Sequence, residues 1–125
     1  MKVGFIGAGK AALAIGTFWS SKEVEVLGYY SRNIQSAEKA ATTTNTRIFT
    51  SLSALVAEAD VVMLTTSDDA IQTVGAALAE ISLSWEDKIV CHLSGAHSSD
   101  ILIDLYKQGA TVCSLHPMIS FGNTR

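Results

Sequence analysis

The first fifteen residues constrain this chain more than any other stretch. A short apolar run, Val3 to Ile6, leads directly into Gly7-Ala8-Gly9-Lys10-Ala11-Ala12, and an Ala- and Leu-rich segment follows. Glycine at the first position of such a loop permits a tight turn. Glycine at the third lets backbone approach a pyrophosphate, and the small Ala12 keeps the helix close to the strand it packs on. The pattern carries weight because of its setting, strand then turn then helix, where a bare glycine triplet would carry little. A helix opening at Lys10 aims its unpaired N–H groups and its positive dipole end across the loop, which suits a diphosphate. Architecture, ligand class and ligand position are therefore predicted together.

The rest of the chain alternates strand and helix. Strands are expected at residues 2–6, 24–30, 46–50, 60–66, 88–93 and 111–115, and helices at about 10–20, 34–42, 52–59 and 70–81, with a last one ending at Gln108. Val61-Val62-Met63-Leu64 has the unbroken apolar character of a strand buried on both faces. Ser67, Asp68 and Asp69 read as the cap and acidic first turn of the next helix, which accounts for both acids without a catalytic role. Ser98 or Ser99 reads as the cap of the last helix, and Gly109 as the residue just past its end. Alternation of this kind calls for a doubly wound α/β fold. Its sheet is mostly parallel and six-stranded, in the order 3-2-1-4-5-6, with helices on both faces. Ligand is then expected at the switch point beside strands one and four.

Size and composition narrow the function. A chain of 125 residues holds one domain with a real core, and 48% apolar with 17% charged residues fits a well-buried α/β domain. The net charge is −3 and the nine basic residues are scattered. Neither a nucleic-acid footprint nor a polybasic membrane patch is present. No apolar run approaches the ~18 residues of a membrane span. The N-terminal apolar stretch, interrupted by Lys10 and two glycines, reads as strand and turn rather than as a signal peptide. Cys91 and Cys113 sit in strand-like runs without metal-ligand spacing. They read as buried free thiols, which points to a reducing, cytoplasmic setting. His92, His97 and His116 also lack such spacing, so no metal is expected.

The end of strand two discriminates between dinucleotides. An acid there bonds the ribose 2′-hydroxyl of NAD, whereas basic and hydroxyl residues suit the 2′-phosphate of NADP. Here the strand closes on Tyr30-Ser31-Arg32-Asn33, and Glu25 lies at its opposite end. Arg32 offers a planar fork for a phosphate, and Ser31 and Asn33 add hydrogen-bonding groups. An arginine in a surface turn is ordinary by itself; beside the glycine loop it makes NADP the expected cofactor. Lys10 adds charge near the phosphates or is simply solvated. Thr65, Thr66 and Ser67, at the end of strand four, are expected to line the dinucleotide. Tyr29 or Tyr30 offers a ring to the adenine or packs in the core. After strand five, Ser94-Gly95-Ala96-His97 is either a Gly-containing turn or a loop whose Ser94 hydrogen-bonds substrate. After strand six, Pro117 holds His116 extended, in one orientation.

Taken with the glycine loop and Ser31-Arg32-Asn33, two further segments are distinctive: His92-Leu93-Ser94-Gly95-Ala96 and His116-Pro117-Met118-Ile119-Ser120-Phe121. On these the whole chain resembles the N-terminal Rossmann-like domain of NADP-dependent oxidoreductase-like proteins that carry a DUF2520 C-terminal domain. More distantly it resembles pyrroline-5-carboxylate reductases, F420-dependent NADP reductases and prephenate dehydrogenases. The resemblance implies hydride transfer to or from a small molecule it does not identify. From the His-Pro-Met of prephenate dehydrogenases it implies that His116 assists as proton donor or acceptor. It also implies a mostly helical C-terminal domain, absent from these 125 residues, that forms a homodimer and closes the substrate site. The alternative is a non-catalytic NADP(H)-binding module that senses or holds the dinucleotide for a partner. A methyltransferase ranks below both, because no acid after strand two would hold the ribose of S-adenosylmethionine.

Overall fold

The computed structural model describes residues 1–20, 24–66, 68–93 and 102–114, without the side chains of Lys10, Ser20, Asp68 and Asp69. In chain order the elements are β1 (Lys2–Ile6), α1 (Lys10–Ser20), β2 (Glu25–Tyr30), α2 (Ile34–Thr44), β3 (Arg47–Ile48), α3 (Leu52–Glu58), β4 (Val61–Leu64), α4 (Asp68–Ala79), β5 (Ile89–His92), α5 (Ile103–Lys107) and β6 (Thr111–Ser114). The strands form a six-stranded sheet in the order β3-β2-β1-β4-β5-β6, and every pairing is parallel. This is the expected doubly wound topology.

Strand alternation divides the core in two. On β4, Val62 and Leu64 join a cluster with Leu55 and Val56 of α3, Ile71 and Leu78 of α4, and Leu105 of α5. Val61 and Met63 point the other way, into a cluster with Ala12 and Ile15 of α1 and Ala37, Ala40 and Ala41 of α2. Helices therefore cover both faces, which is why β4 is apolar at every position. Phe5 stacks on Tyr29 with centroids 5.1 Å apart and lies 6.1 Å from Trp19, joining β1, β2 and α1.

Boundaries moved where end chemistry overrides periodicity. The third strand keeps two residues of the expected five, because Phe49 leaves the ladder to bury its ring, although its amide still donates to the Tyr29 carbonyl at 2.8 Å. The second helix runs on to Thr44, where Asn45 at φ 56° closes it and the Thr46 amide donates to the Ala41 carbonyl at 2.8 Å. The fourth begins at Asp68 rather than near residue 70. Gly109 ends α5 as expected, at φ 105°. Its amide and that of Ala110 donate to the Tyr106 and Leu105 carbonyls, at 3.0 and 3.1 Å. The expected Ser98 or Ser99 cap lies outside the described residues.

The cysteines correct one expectation. Cys91 and Cys113 are register partners on β5 and β6, with Cα atoms 4.7 Å apart, and they form a disulfide. They are not free thiols, so the reducing compartment inferred from free thiols loses that support. The reason is cross-strand register, which puts both side chains on one face of neighbouring strands.

Arg47 and Glu58 form a bidentate pair at 2.8 and 2.9 Å, with the guanidinium 4.5 Å from the Phe49 ring. The hydrogen bonds from Arg47 hold the exposed Glu58 carboxyl below its ordinary range. A depressed carboxyl contributes stability above its unfolded pKa and loses it as pH falls through the lower folded value. Being exposed, the pair contributes little. The gap in urea midpoint between wild type and Glu58→Gln should be small at neutral pH, vanish in acid and shrink with added salt; a gap that widens in acid would contradict this pairing.

Candidate functional site

The chain leaves β1 at Ile6 and turns at Gly7, whose φ is +110°. The Gly7 amide donates to the Tyr30 carbonyl at 2.7 Å, fixing the turn against the end of β2. A Cβ at Gly7 would lie 2.9 Å from the Thr65 carbonyl carbon and oxygen, in a conformation L side chains rarely adopt. The fold itself therefore requires glycine there. Gly9 differs, because a Cβ added to it would meet nothing within 4 Å. Among the described residues, no atom requires that position to be bare. Helix α1 begins at Lys10 and its first bond runs from the Leu13 amide to the Gly9 carbonyl at 3.0 Å. Amides earlier in that turn have no carbonyl one turn back to bond, and no acid sits in the turn to compete for the positive end.

Above this loop lies a cavity of about 730 Å³, within the ~300–1,000 Å³ of small-molecule sites. Gly7, Ala8 and Gly9 line it from the loop, Tyr30, Ser31 and Arg32 from the end of β2, and Thr65 and Thr66 from the end of β4. Leu52, Ala70, Thr73, Val74 and Ala77 complete the wall. The cavity sits at the carboxyl ends of β1, β2 and β4, where strand order reverses.

Its polar groups divide into those already engaged and those not. Thr65 Oγ1 reaches the Ile6 and Gly7 carbonyls at 3.1 and 3.2 Å, and its amide donates to Ile6 at 2.9 Å, so Thr65 pins the loop to β4. Thr66 Oγ1 is buried with no hydrogen-bond partner among the described residues. Leaving a buried hydroxyl unpaired costs free energy. Ser31 Oγ accepts from the Asn33 amide at 3.1 Å. Asn33 Oδ1 caps α2, accepting from the Gln35 and Ser36 amides at 3.0 and 3.3 Å. Arg32 is exposed and has no ion pair among the described residues.

Of the residues singled out from sequence, the structure gathers Gly7, Ala8, Gly9, Ser31, Arg32, Thr65 and Thr66 around one cavity. Asn33 and Ala11 do not line it. Ala12, fully buried, packs α1 on the sheet, the role expected of it. The Lys10 side chain, Ser67, Ser94 and His116 lie outside the described residues. Strand alternation separates the two tyrosines: Tyr29 is buried in the core, where burial pushes its phenol pKa up, while Tyr30 faces the cavity. The sequence reading missed Leu52 and the α4 wall, although Ala70, Thr73, Val74 and Ala77 carry the i, i+3, i+4, i+7 spacing of one helix face.

No curated protein matches the chain. Among solved structures, a candidate NADP oxidoreductase from Bacteroides fragilis superposes with a TM-score of 0.80 at 19% identity, over 99% of this chain and 47% of its own. An imine reductase from Bacillus cereus matches with a TM-score of 0.77 at 15% identity, over 97% of this chain and 42% of its own. A prephenate dehydrogenase from A. aeolicus, in complex with hydroxyphenyl propionate and NAD+, matches with a TM-score of 0.74 at 20% identity, over 96% and 42%. This chain thus spans less than half the length of these proteins, and at such identities the likeness is one of fold. No helix among the described residues is long and apolar enough to cross a membrane. The glycine turn, the 3-2-1-4-5-6 sheet and the cavity at its switch point agree with the match of a family model to residues 1–117: the chain belongs to the Rossmann-like domain family.

Proposed function

We propose that this chain is the nucleotide-binding domain of an NADP-dependent oxidoreductase, completed by a helical domain that forms the substrate site and a homodimer. The observation that carries the reading is the contrast between the two loop glycines. Gly7 is needed by the turn, whereas Gly9 leaves open space among the described residues beside the start of a helix with no acid in its first turn, which fits the close approach of a pyrophosphate. The Thr66 hydroxyl and the Arg32 guanidinium, the one without a hydrogen-bond partner and the other without an ion pair among the described residues, fit the same ligand. Matched folds include an NADP oxidoreductase candidate and a dehydrogenase bound to NAD+, which supports a nicotinamide dinucleotide.

When bound, the dinucleotide supplies hydride transfer. The first-turn amides of α1 would hold the diphosphate, Arg32 and Ser31 would hold the 2′-phosphate, and the apolar side chains of Leu52 and Val74 would keep water from the cavity wall they line. Ser94 is assigned to orient the substrate and His116 to exchange its proton; both follow a strand in the sequence, β5 and β6, and lie outside the described residues.

Titration of the purified chain with NADPH and NADH, followed by nicotinamide fluorescence, tests the reading. NADPH should bind at least about tenfold tighter, roughly 1.4 kcal/mol. Arg32→Ala should weaken NADPH by roughly 1–3 kcal/mol, the scale of a hydrogen bond to a charged group, and leave NADH nearly unchanged. Equal losses for both would remove Arg32 from the phosphate; binding of neither would overturn the nucleotide site.

A further inference from the structure

A second cavity, of about 220 Å³, opens off the same loop between α1 and α2. Ala8 and Gly9 line it from the loop, as they line the larger one. Its other wall is one face of α2: Ser36, Lys39 and Ala40, at i, i+3 and i+4. Leu13 of α1 completes the lining, and Lys39 is exposed at its edge. The Ser36 amide is engaged by the Asn33 cap, but its hydroxyl makes no hydrogen bond among the described residues. The Lys39 ammonium likewise has no ion pair there. The acid beside it in sequence, Glu38, is exposed and lies about 100° around the helix, off this wall. Arg32, just before α2, also has no ion pair among the described residues. Two cations without carboxylate partners among the described residues thus lie one just before α2 and one midway along it, each lining a cavity that includes Ala8 and Gly9.

We infer that Lys39, with the Ser36 hydroxyl, is a second holder of the 2′-phosphate of NADP and a specificity-determining residue alongside Arg32. The inference rests on the NADP reading above. A phosphate monoester carries about −1.5 to −2 charges at neutral pH, so one guanidinium leaves it under-neutralised. Arg32 supplies the planar two-point contact and Lys39 a mobile point charge from the α2 side. NAD lacks the group and leaves Lys39 solvated.

The test is titration of wild type, Arg32→Ala, Lys39→Gln and Lys39→Arg with NADPH, NADH, 2′,5′-ADP and ADP, at low and high salt. Circular dichroism should show unchanged melting for the Lys39 variants, because the side chain is exposed. Lys39→Gln should lose about three- to tenfold in affinity for NADPH and 2′,5′-ADP, keep its affinity for NADH and ADP, and depend less on salt. Lys39→Arg should retain most of the binding. Unchanged NADPH affinity in Lys39→Gln, or an equal loss with NADH, would overturn the inference while leaving the nucleotide site standing. Equal binding of NADPH and NADH by wild type would instead overturn the NADP reading, and the role of Lys39 with it.

Discussion

Gly9→Val should abolish dinucleotide binding, a loss of at least about a hundredfold or roughly 2.7 kcal/mol, while melting within a few degrees of wild type. A Cβ at this position meets nothing within 4 Å among the described residues, so none of them has to move to admit it. What the valine fills is the approach to the first turn of α1, where the diphosphate is proposed to lie. Gly7→Ala should behave in the opposite way. At φ +110°, and 2.9 Å from the Thr65 backbone, an alanine should cost about 1–3 kcal/mol of stability. It should weaken binding only as far as the loop shifts. Thermal melts and NADPH titrations on the same two proteins separate the effects. A Gly9→Val protein that binds NADPH normally would sink the placement of the diphosphate, and one that unfolds would show that the fold also needs this glycine.

Phe5→Ala should be among the most destabilising single substitutions. Its ring is fully buried beneath the loop, stacked on Tyr29 and near Trp19. Truncating a buried aromatic costs about 3–5 kcal/mol, including roughly 0.5–1.5 kcal/mol per lost ring pair. Against a typical domain stability of about 5–15 kcal/mol, this is a large share. Phe5→Leu should lose much less, since it refills most of the volume. Urea midpoints measure both. Saturating NADPH, at a hundred times its Kd, should return about 2.7 kcal/mol to Phe5→Ala through mass action and nothing to Gly9→Val. A Phe5→Ala loss below about 1 kcal/mol would show that this cluster does not hold β1, β2 and α1 together.

The parts of the molecule legible from sequence are those set by local pattern. Gly7-Ala8-Gly9 announces its turn because a strand precedes it and a helix follows, and the order of six strands follows from alternation and handedness. The β5–β6 disulfide was not legible, since it depends on the alignment of strands whose cysteines lie 22 residues apart. The α4 wall was missed for a related reason. Ala70, Thr73, Val74 and Ala77 show their spacing plainly, but only the packing of α4 beside β4 turns that face toward the cavity. Asn33 illustrates a third kind of gap: an amide side chain serves a ligand or a helix cap equally well on paper, and here its oxygen is engaged by the Gln35 and Ser36 amides.

The Thr65 hydroxyl joins the exit of β1 to the exit of β4, across the seam between the two halves of the sheet. The shape of the glycine loop is therefore imposed from outside it, by a residue almost sixty positions later in the chain and by the Tyr30 carbonyl from β2. A consequence for protein engineering is that residues 7–12 are not a portable cassette. Transplanted onto another strand–helix junction they should keep their flexibility and lose their geometry, unless a hydroxyl from the neighbouring strand travels with them.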